Sequence, residues 1–231
     1  MKRIREIIAG ILKTQGRESR LFHLPRRWSN TELLKFAHLF EGKILNVSAW
    51  RDDDKQGNRY RNYFVNASEY WMSNVGGCRG SSGLENEIHL NIEENLPEDL
   101  CETFDVVFNH TTLEHIFDVH KAFDNLVRLT KDVLILVVPY SQDQHHSTDY
   151  GDYWRFTPLG VIKNLEERGM RVLYCSVTPF KNAGCYSFTI ATKNPDLWKD
   201  RITPQISDGK TNLVQDKLLC QLIKLLKPRA G

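Results

Sequence analysis

The sequence predicts an α/β domain built on a doubly wound, mostly parallel sheet with helices on both faces and an antiparallel strand near its end. Three observations carry that expectation. The runs Asp105-Val106-Val107-Phe108 and Asp132 to Val138 are nearly unbroken β-branched and aliphatic stretches, as strands buried on both faces of a parallel sheet require. Strand-like and helix-like patterns alternate from Lys43 to Gly169. Arg171 to Val177 and Tyr186 to Ala191 are then joined by a segment too short for a crossover helix, so this pair is expected to run antiparallel. With the shorter strands, the sheet comes to about seven.

Taken in order, Ile4, Ile7, Ile8, Ile11 and Leu12 share one helical face beside basic residues, which predicts an amphipathic helix that docks on the body or rests on a membrane surface. Ser29-Asn30-Thr31-Glu32 reads as a capping box opening a helix through about Phe40, with Gly42 ending it. A strand follows at Lys43 to Val47, then shorter ones at Tyr70 to Ser73, Glu87 to Leu90 and Phe104 to Phe108. Val119 to Thr130 has helical spacing, and Thr157-Pro158 starts a helix that Gly169 closes. GGCRGSSG at 76–83 reads as a surface loop. The end of the chain carries a wide apolar stripe through Leu213, Val214, Leu218, Leu222 and Leu226, to be covered by the domain, a second copy in a homodimer, or a membrane surface. The expected division is a helical segment at 1–41, a core domain at 42–192 and an extension with an amphipathic helix at 193–231.

The bulk numbers narrow the function. A chain of 231 residues, 41% hydrophobic and 26% charged, can bury a full core. Its 31 basic residues nearly cancel 29 acidic ones, which disfavours nucleic acid as a partner. The five cysteines are odd in number and form no C-x-x-C pair, which argues against a disulfide framework and points to the cytoplasm. No apolar run approaches the ~20 residues of a membrane span.

FDVVFNHTTLEHIFDVHKAFDNLVRL at 104–129, DVLILVVPY at 132–140, LNIEENLPEDL at 90–100 and DYWRFTP at 152–158 occur in this order over about residues 42–192. Together they resemble class I S-adenosylmethionine-dependent methyltransferases of the type 11 kind associated with glycan or secondary-metabolite biosynthesis. The resemblance implies a Rossmann-like fold and S-adenosyl-L-methionine as methyl donor. It also implies a cofactor site formed by Asn46, Ser48, Ala49, Trp50, Asn74, Asn91, Ile92, Asn109, His110, Thr111 and Leu113.

The sequence departs from that pattern at the first motif, where Ser48, Trp50 and Asp52 stand in place of three glycines. Asn46, Asn74 and Asn91 stand at or near positions where carboxylates are usual. Asp52, Asp53 and Asp54 could replace the missing charge, and Trp50 either occupies cofactor space, attracts a sulfonium through its ring, or turns away to pack on the next helix.

On the acceptor side, PYSQDQHHSTDYGDYWRFTP at 139–158 follows the fifth strand, where open α/β sheets place ligands. His146 or His145, oriented by Asp149, is the candidate base for a hydroxyl acceptor, and Tyr140, Tyr153 and Arg155 the candidate substrate contacts, with Arg155 also suited to clamp Asp152 or Glu114. His115 suits a loop-organising role. No metal is expected, since adjacent histidines rarely share one ion. The leading expectation is O-methylation of a sugar, nucleotide sugar or glycan, a small-molecule or glycan acceptor. The alternative is a non-catalytic methyltransferase-like scaffold.

Overall fold

The structure is a computed structural model in which residues 23–76, 86–179 and 185–207 are described. The two terminal amphipathic segments and most of the glycine-serine stretch lie outside the described residues. The chain runs α1 (Leu24–Phe36), β1 (Gly42–Val47), β2 (Ala67–Asn74), β3 (Glu87–His89), β4 (Phe104–His110), α2 (Val119–Leu129), β5 (Thr130–Ser141), α3 (Pro158–Glu166), β6 (Arg171–Val177), β7 (Cys185–Thr192), α4 (Pro195–Trp198) and β8 (Gln205–Ile206).

The strands form one sheet of eight in the order β3-β2-β1-β4-β5-β7-β6-β8. β7 runs antiparallel to both neighbours, and the other pairings are parallel. The sequence reading missed β8, a two-residue strand beside β6. Because consecutive residues of a strand face opposite ways, β1 divides its side chains between two cores. Leu45 and Val47 join Val107, Leu134, Phe123 and Leu126 under α2 and α3, while Ile44 joins Phe108, Ile135, Phe188 and Leu33 under α1. All eight residues of β7 are buried, as a strand covered on both faces must be.

Two expectations are corrected. The first helix starts at Leu24, with Pro25 in its first turn, so Ser29 lies inside it and caps nothing. Ser29, Asn30 and Glu32 instead form part of its buried face: Glu32 accepts from the Tyr174 hydroxyl (2.6 Å), and Asn30 donates to the Asp54 carbonyl (3.0 Å).

The second correction concerns the crossover from β1 to β2. Residues 48–66 contain a 3-10 turn at Tyr60–Asn62 and no α-helix, so Trp50 has no following helix to pack on. Two buried aspartates hold this crossover together. Asp52 accepts from Asn46 Nδ2 (2.9 Å), the Tyr70 hydroxyl (2.7 Å) and the Arg61 backbone N–H (3.0 Å). Asp54 accepts from the backbone N–H groups of Gln56 (2.7 Å) and Asn58 (2.9 Å) and from the Tyr63 hydroxyl (2.7 Å). The two carboxylates thus satisfy the backbone N–H groups of Gln56, Asn58 and Arg61, which a helix would have paired within itself, and fasten the crossover to Asn46, Tyr63 and Tyr70.

Candidate active site

The chain changes direction across the sheet between β1 and β4, and a crevice opens at the C-terminal ends of the strands there. It is a cleft of about 770 Å³, within the range of small-molecule sites. Its walls come from the loops after β1 (Ser48, Ala49, Trp50), β2 (Val75, Gly76), β3 (Asn91, Glu93), β4 (Thr111, Thr112, His115) and β5 (Asp149 to Gly151, Tyr153), with Arg26 of α1.

The turn after β1 answers for its missing glycines in its backbone. Ser48, Trp50 and Asp52 have φ of 58°, 50° and 61°, so all three adopt the left-handed conformation that favours glycine. Local pairing holds them there. The N–H of Ser48 donates to Ser73 Oγ, that of Ala49 to the Ser73 carbonyl, that of Trp50 to Asn74 Oδ1 (2.6 Å) and that of Asp52 to the Ala49 carbonyl. These N–H groups therefore turn into the protein, and the turn offers the cleft its side chains and shape. Asn74 completes the clamp by donating to the Trp50 carbonyl (3.1 Å) and to Glu87 (2.5 Å). The Trp50 ring carries the Lys55 ammonium 4.5 Å from its centroid, and Lys55 pairs with Asp53 at 3.0 Å. The lysine's backbone and side chain hold the Asp53 carboxyl below its ordinary range, against the opposing effect of burial.

Of the residues expected to hold a cofactor, Asn46, Ser48, Ala49, Trp50, Asn74, Asn91, His110 and Thr111 line the cleft. Ile92, Asn109 and Leu113 do not. They are buried in the interior, where Asn109 donates to the Val47 carbonyl (3.1 Å) and so ties β4 to β1.

His110 closes a ring of hydrogen bonds. Arg26 donates to Thr111 Oγ1 (2.8 Å), which lies 3.1 Å from His110 Nδ1, while His110 Nε2 lies 2.9 Å from Ser29 Oγ, itself a donor to the Arg26 carbonyl (2.8 Å). This circuit needs a neutral imidazole protonated at Nε2. Burial, reinforced by the Arg26 charge, pushes the His110 pKa well down.

The acceptor-side loop is arranged differently from the sequence expectation. His146 is exposed and borders a separate shallow hollow, while the adjacent His145 turns inward, its ring centroid 5.1 Å from that of His115. Asp149 borders both the hollow and the cleft, and hydrogen bonds connect it to Ser147 and Thr148, with none to His146 among the described residues. Tyr153 lines the cleft, whereas Tyr140 and Arg155 do not. Arg155 is a clamp: its two terminal nitrogens pair with Asp152 at 2.6 and 2.7 Å. Together with the His145 backbone N–H and against burial, this pairing lowers the Asp152 pKa to about 2.

The sequence reading undervalued His115 and Glu114. His115 lines the cleft, and its Nδ1 lies 2.6 Å from the Gly151 carbonyl, an acceptor only, so Nδ1 carries a proton and in the neutral ring the lone pair sits on Nε2. Glu114 is fully buried 3.7 Å from that Nε2, and burial raises its carboxyl to about 8. Glu114, His115 and His145 each place a potential ligand atom within 4.8 Å of the others. A tetrahedral ion needs donors about 3.4 Å apart, so these three would have to draw together to hold one.

No protein-family model matches the sequence, and no curated protein sequence matches it. Solved structures do. The chain is similar to a 1,6-didemethyltoxoflavin-N1-methyltransferase of Burkholderia thailandensis solved with S-adenosylhomocysteine, at 15% identity and a TM-score of 0.52, covering 81% of this chain and 89% of that one. It is similar to the YcgJ protein of Bacillus subtilis, at 13% identity and a TM-score of 0.53, covering 72% and 98%. It is also similar to the [4+2]-cyclase SpnF, at 10% identity and a TM-score of 0.53, covering 73% and 81%. The fold is the Rossmann-like methyltransferase fold. At these identities the likeness concerns the fold, and function must be argued from the site.

Proposed function

We propose that the chain is an S-adenosylmethionine-dependent methyltransferase acting on a hydroxyl of a sugar, nucleotide sugar or glycan. One observation carries the reading: three residues in place of glycines keep a left-handed turn at the end of β1, and that turn opens on the cleft. The cleft's volume suits a nucleoside-sized ligand beside an acceptor. Ser48, Ala49 and Trp50 would bound the cofactor on one side and Thr111 on the other, with Asn91 and Glu93 supplying polar contacts. When bound, the cofactor supplies an electrophilic methyl group on a sulfonium.

The chain's own residues position the acceptor and move a proton. Tyr150 and Tyr153 offer ring faces suited to the apolar faces of a sugar. His115 takes over the role expected of His146: its Nε2 is the atom that accepts the hydroxyl proton, while Gly151 fixes the ring through Nδ1. The Asp152–Arg155 pair holds the loop that carries Gly151. Incubation with S-adenosylmethionine and a panel of nucleotide sugars, read by mass for methyl addition, tests the reading. No methylated product from any acceptor, together with no heat on titrating millimolar S-adenosylhomocysteine, would contradict it.

A second reading has one observation in its favour. Asn46, Asn74 and the turn's N–H groups are satisfied within the protein, as a methyltransferase-like binding domain without catalysis would allow. It expects acceptor binding with no methyl transfer.

A further inference from the structure

Arg26 lines the cleft from α1, and among the described residues it forms no salt bridge. Two of its five N–H donors are used, by the Tyr60 hydroxyl (3.2 Å) and Thr111 Oγ1 (2.8 Å), both neutral. Among the described residues no carboxylate comes within 4.0 Å of its guanidinium. Buried or half-buried charges are ordinarily paired, because removing an ion from water costs several kcal/mol, on the order of 5. The nearby acids act on it only from a distance: Asp53 feels the Arg26 charge but pairs with Lys55 at 3.0 Å, and burial raises the Glu114 carboxyl to about 8.

The guanidinium is also fixed in place. Thr111 belongs to the closed circuit through His110 and Ser29, and Tyr60 is held in turn by donating to Asn30 Oδ1 (3.1 Å). A planar cation, immobilised by neutral partners and facing a cleft, suits an oxyanion that it can grip with two parallel hydrogen bonds.

We propose that Arg26 anchors an anion subsite that takes a carboxylate or phosphate group of a ligand bound in the cleft. The shared chemistry has two sources, the amino-acid carboxylate of the methyl donor and the phosphate of a nucleotide-sugar acceptor. In naming these sources the inference rests on the methyltransferase reading.

Calorimetric titrations of the full chain separate the cases. The probes are S-adenosylhomocysteine, 5′-methylthioadenosine, which lacks the amino-acid end, and uridine diphosphate. Arg26→Gln is expected to weaken at least one of the two anionic probes by about 10- to 100-fold and to leave methylthioadenosine unchanged. Loss confined to S-adenosylhomocysteine assigns the carboxylate, and loss confined to uridine diphosphate assigns the phosphate. Unchanged affinity for both, an equal loss for methylthioadenosine, or a wild type that binds neither anion overturns the inference. If the wild type binds only uridine diphosphate and the variant loses it, the subsite stands while the methyltransferase reading fails. Arg26→Lys keeps the charge and loses the planar fork. It decides the matter where Arg26→Gln does not fold, an unchanged affinity for both anions then counting against the subsite.

Discussion

Asn46→Asp restores an acid where the methyltransferase pattern has one, and the structure predicts that it damages this protein. Asn46 Nδ2 donates to Asp52 Oδ1 at 2.9 Å, and Asn46 is only 3% exposed. A carboxyl introduced there would face the Asp52 carboxylate at hydrogen-bond distance. Two charges at that separation repel by about 6 kcal/mol at an effective dielectric constant of about 20, so the new group escapes by staying protonated. Keeping a carboxyl of ordinary pKa about 3.9 protonated at pH 7 costs about 4 kcal/mol, which caps the damage. The expected loss is therefore about 2 to 4 kcal/mol at pH 7.

The sign follows from a folded-state pKa raised above the unfolded one. The penalty is largest above the raised value and disappears as pH falls below about 4. Urea unfolding at pH 7 and at pH 4.5 measures it, and the gap between variant and wild type should narrow by about 3 kcal/mol at the cap and less below it. The double variant Asn46→Asp/Asp52→Asn restores one donor and one acceptor and should recover at least half of the loss. Wild-type stability of the single variant at pH 7 would refute the claim that this contact holds the crossover.

Ser48→Gly should stabilise the fold by up to about 1 kcal/mol, because a left-handed position suits glycine and the Ser48 side chain makes no hydrogen bond among the described residues; thermal unfolding reads the rise. His110 is held neutral while the unfolded chain takes up a proton below about 6.5, so its contribution is complete above that pH and is lost on acidification. The unfolding free energy of wild type should accordingly fall more steeply below pH 6.5 than that of His110→Asn, by up to about 1.4 kcal/mol per pH unit, and equal slopes would count against a neutral ring. His115→Ala should lower methyl transfer by about 10²- to 10⁴-fold with unchanged S-adenosylhomocysteine affinity, whereas His146→Ala should leave the rate near wild type. If His146→Ala alone abolished turnover, the base would lie on the outer loop.

The sheet was legible because strands covered on both faces are mostly apolar, as Val106 to Phe108 and Val133 to Val138 are throughout; β7 is buried along its whole length but includes Ser187, Thr189 and Thr192. The antiparallel strand was legible from a connection too short to cross over. Ser29 and Glu32 misled because the spacing of a capping box also places both residues on one helical face, and here that face looks inward onto Tyr174 and His110. The role of the aspartates after β1 was hidden for a related reason: Asp52, Asp53 and Asp54 read alike as charge for the cofactor, and only the tertiary partners Asn46, Tyr63 and Tyr70 reveal Asp52 and Asp54 as turn builders.

The same limit applies to the site. Asn109 was expected in the cleft because the strand was expected to end at Phe108, yet it lies within β4 and its amide donates across to the Val47 carbonyl. Arg26 was hidden because the capping-box pattern placed the helix start at Ser29, which left Arg26 outside the helix that carries it to the cleft. His145 and His146 were indistinguishable by type. The alternation of neighbouring side chains decides which one meets His115.

The central claim is that a turn without glycines still shapes a methyl-donor site. A crystal structure of the full chain grown with S-adenosylhomocysteine tests it most directly. The account predicts ligand density in the cleft between Ser48 to Trp50 and Thr111, with the three left-handed residues in place. Density elsewhere, or a cleft closed by the Trp50 ring with the ligand absent at saturating concentration, would contradict it.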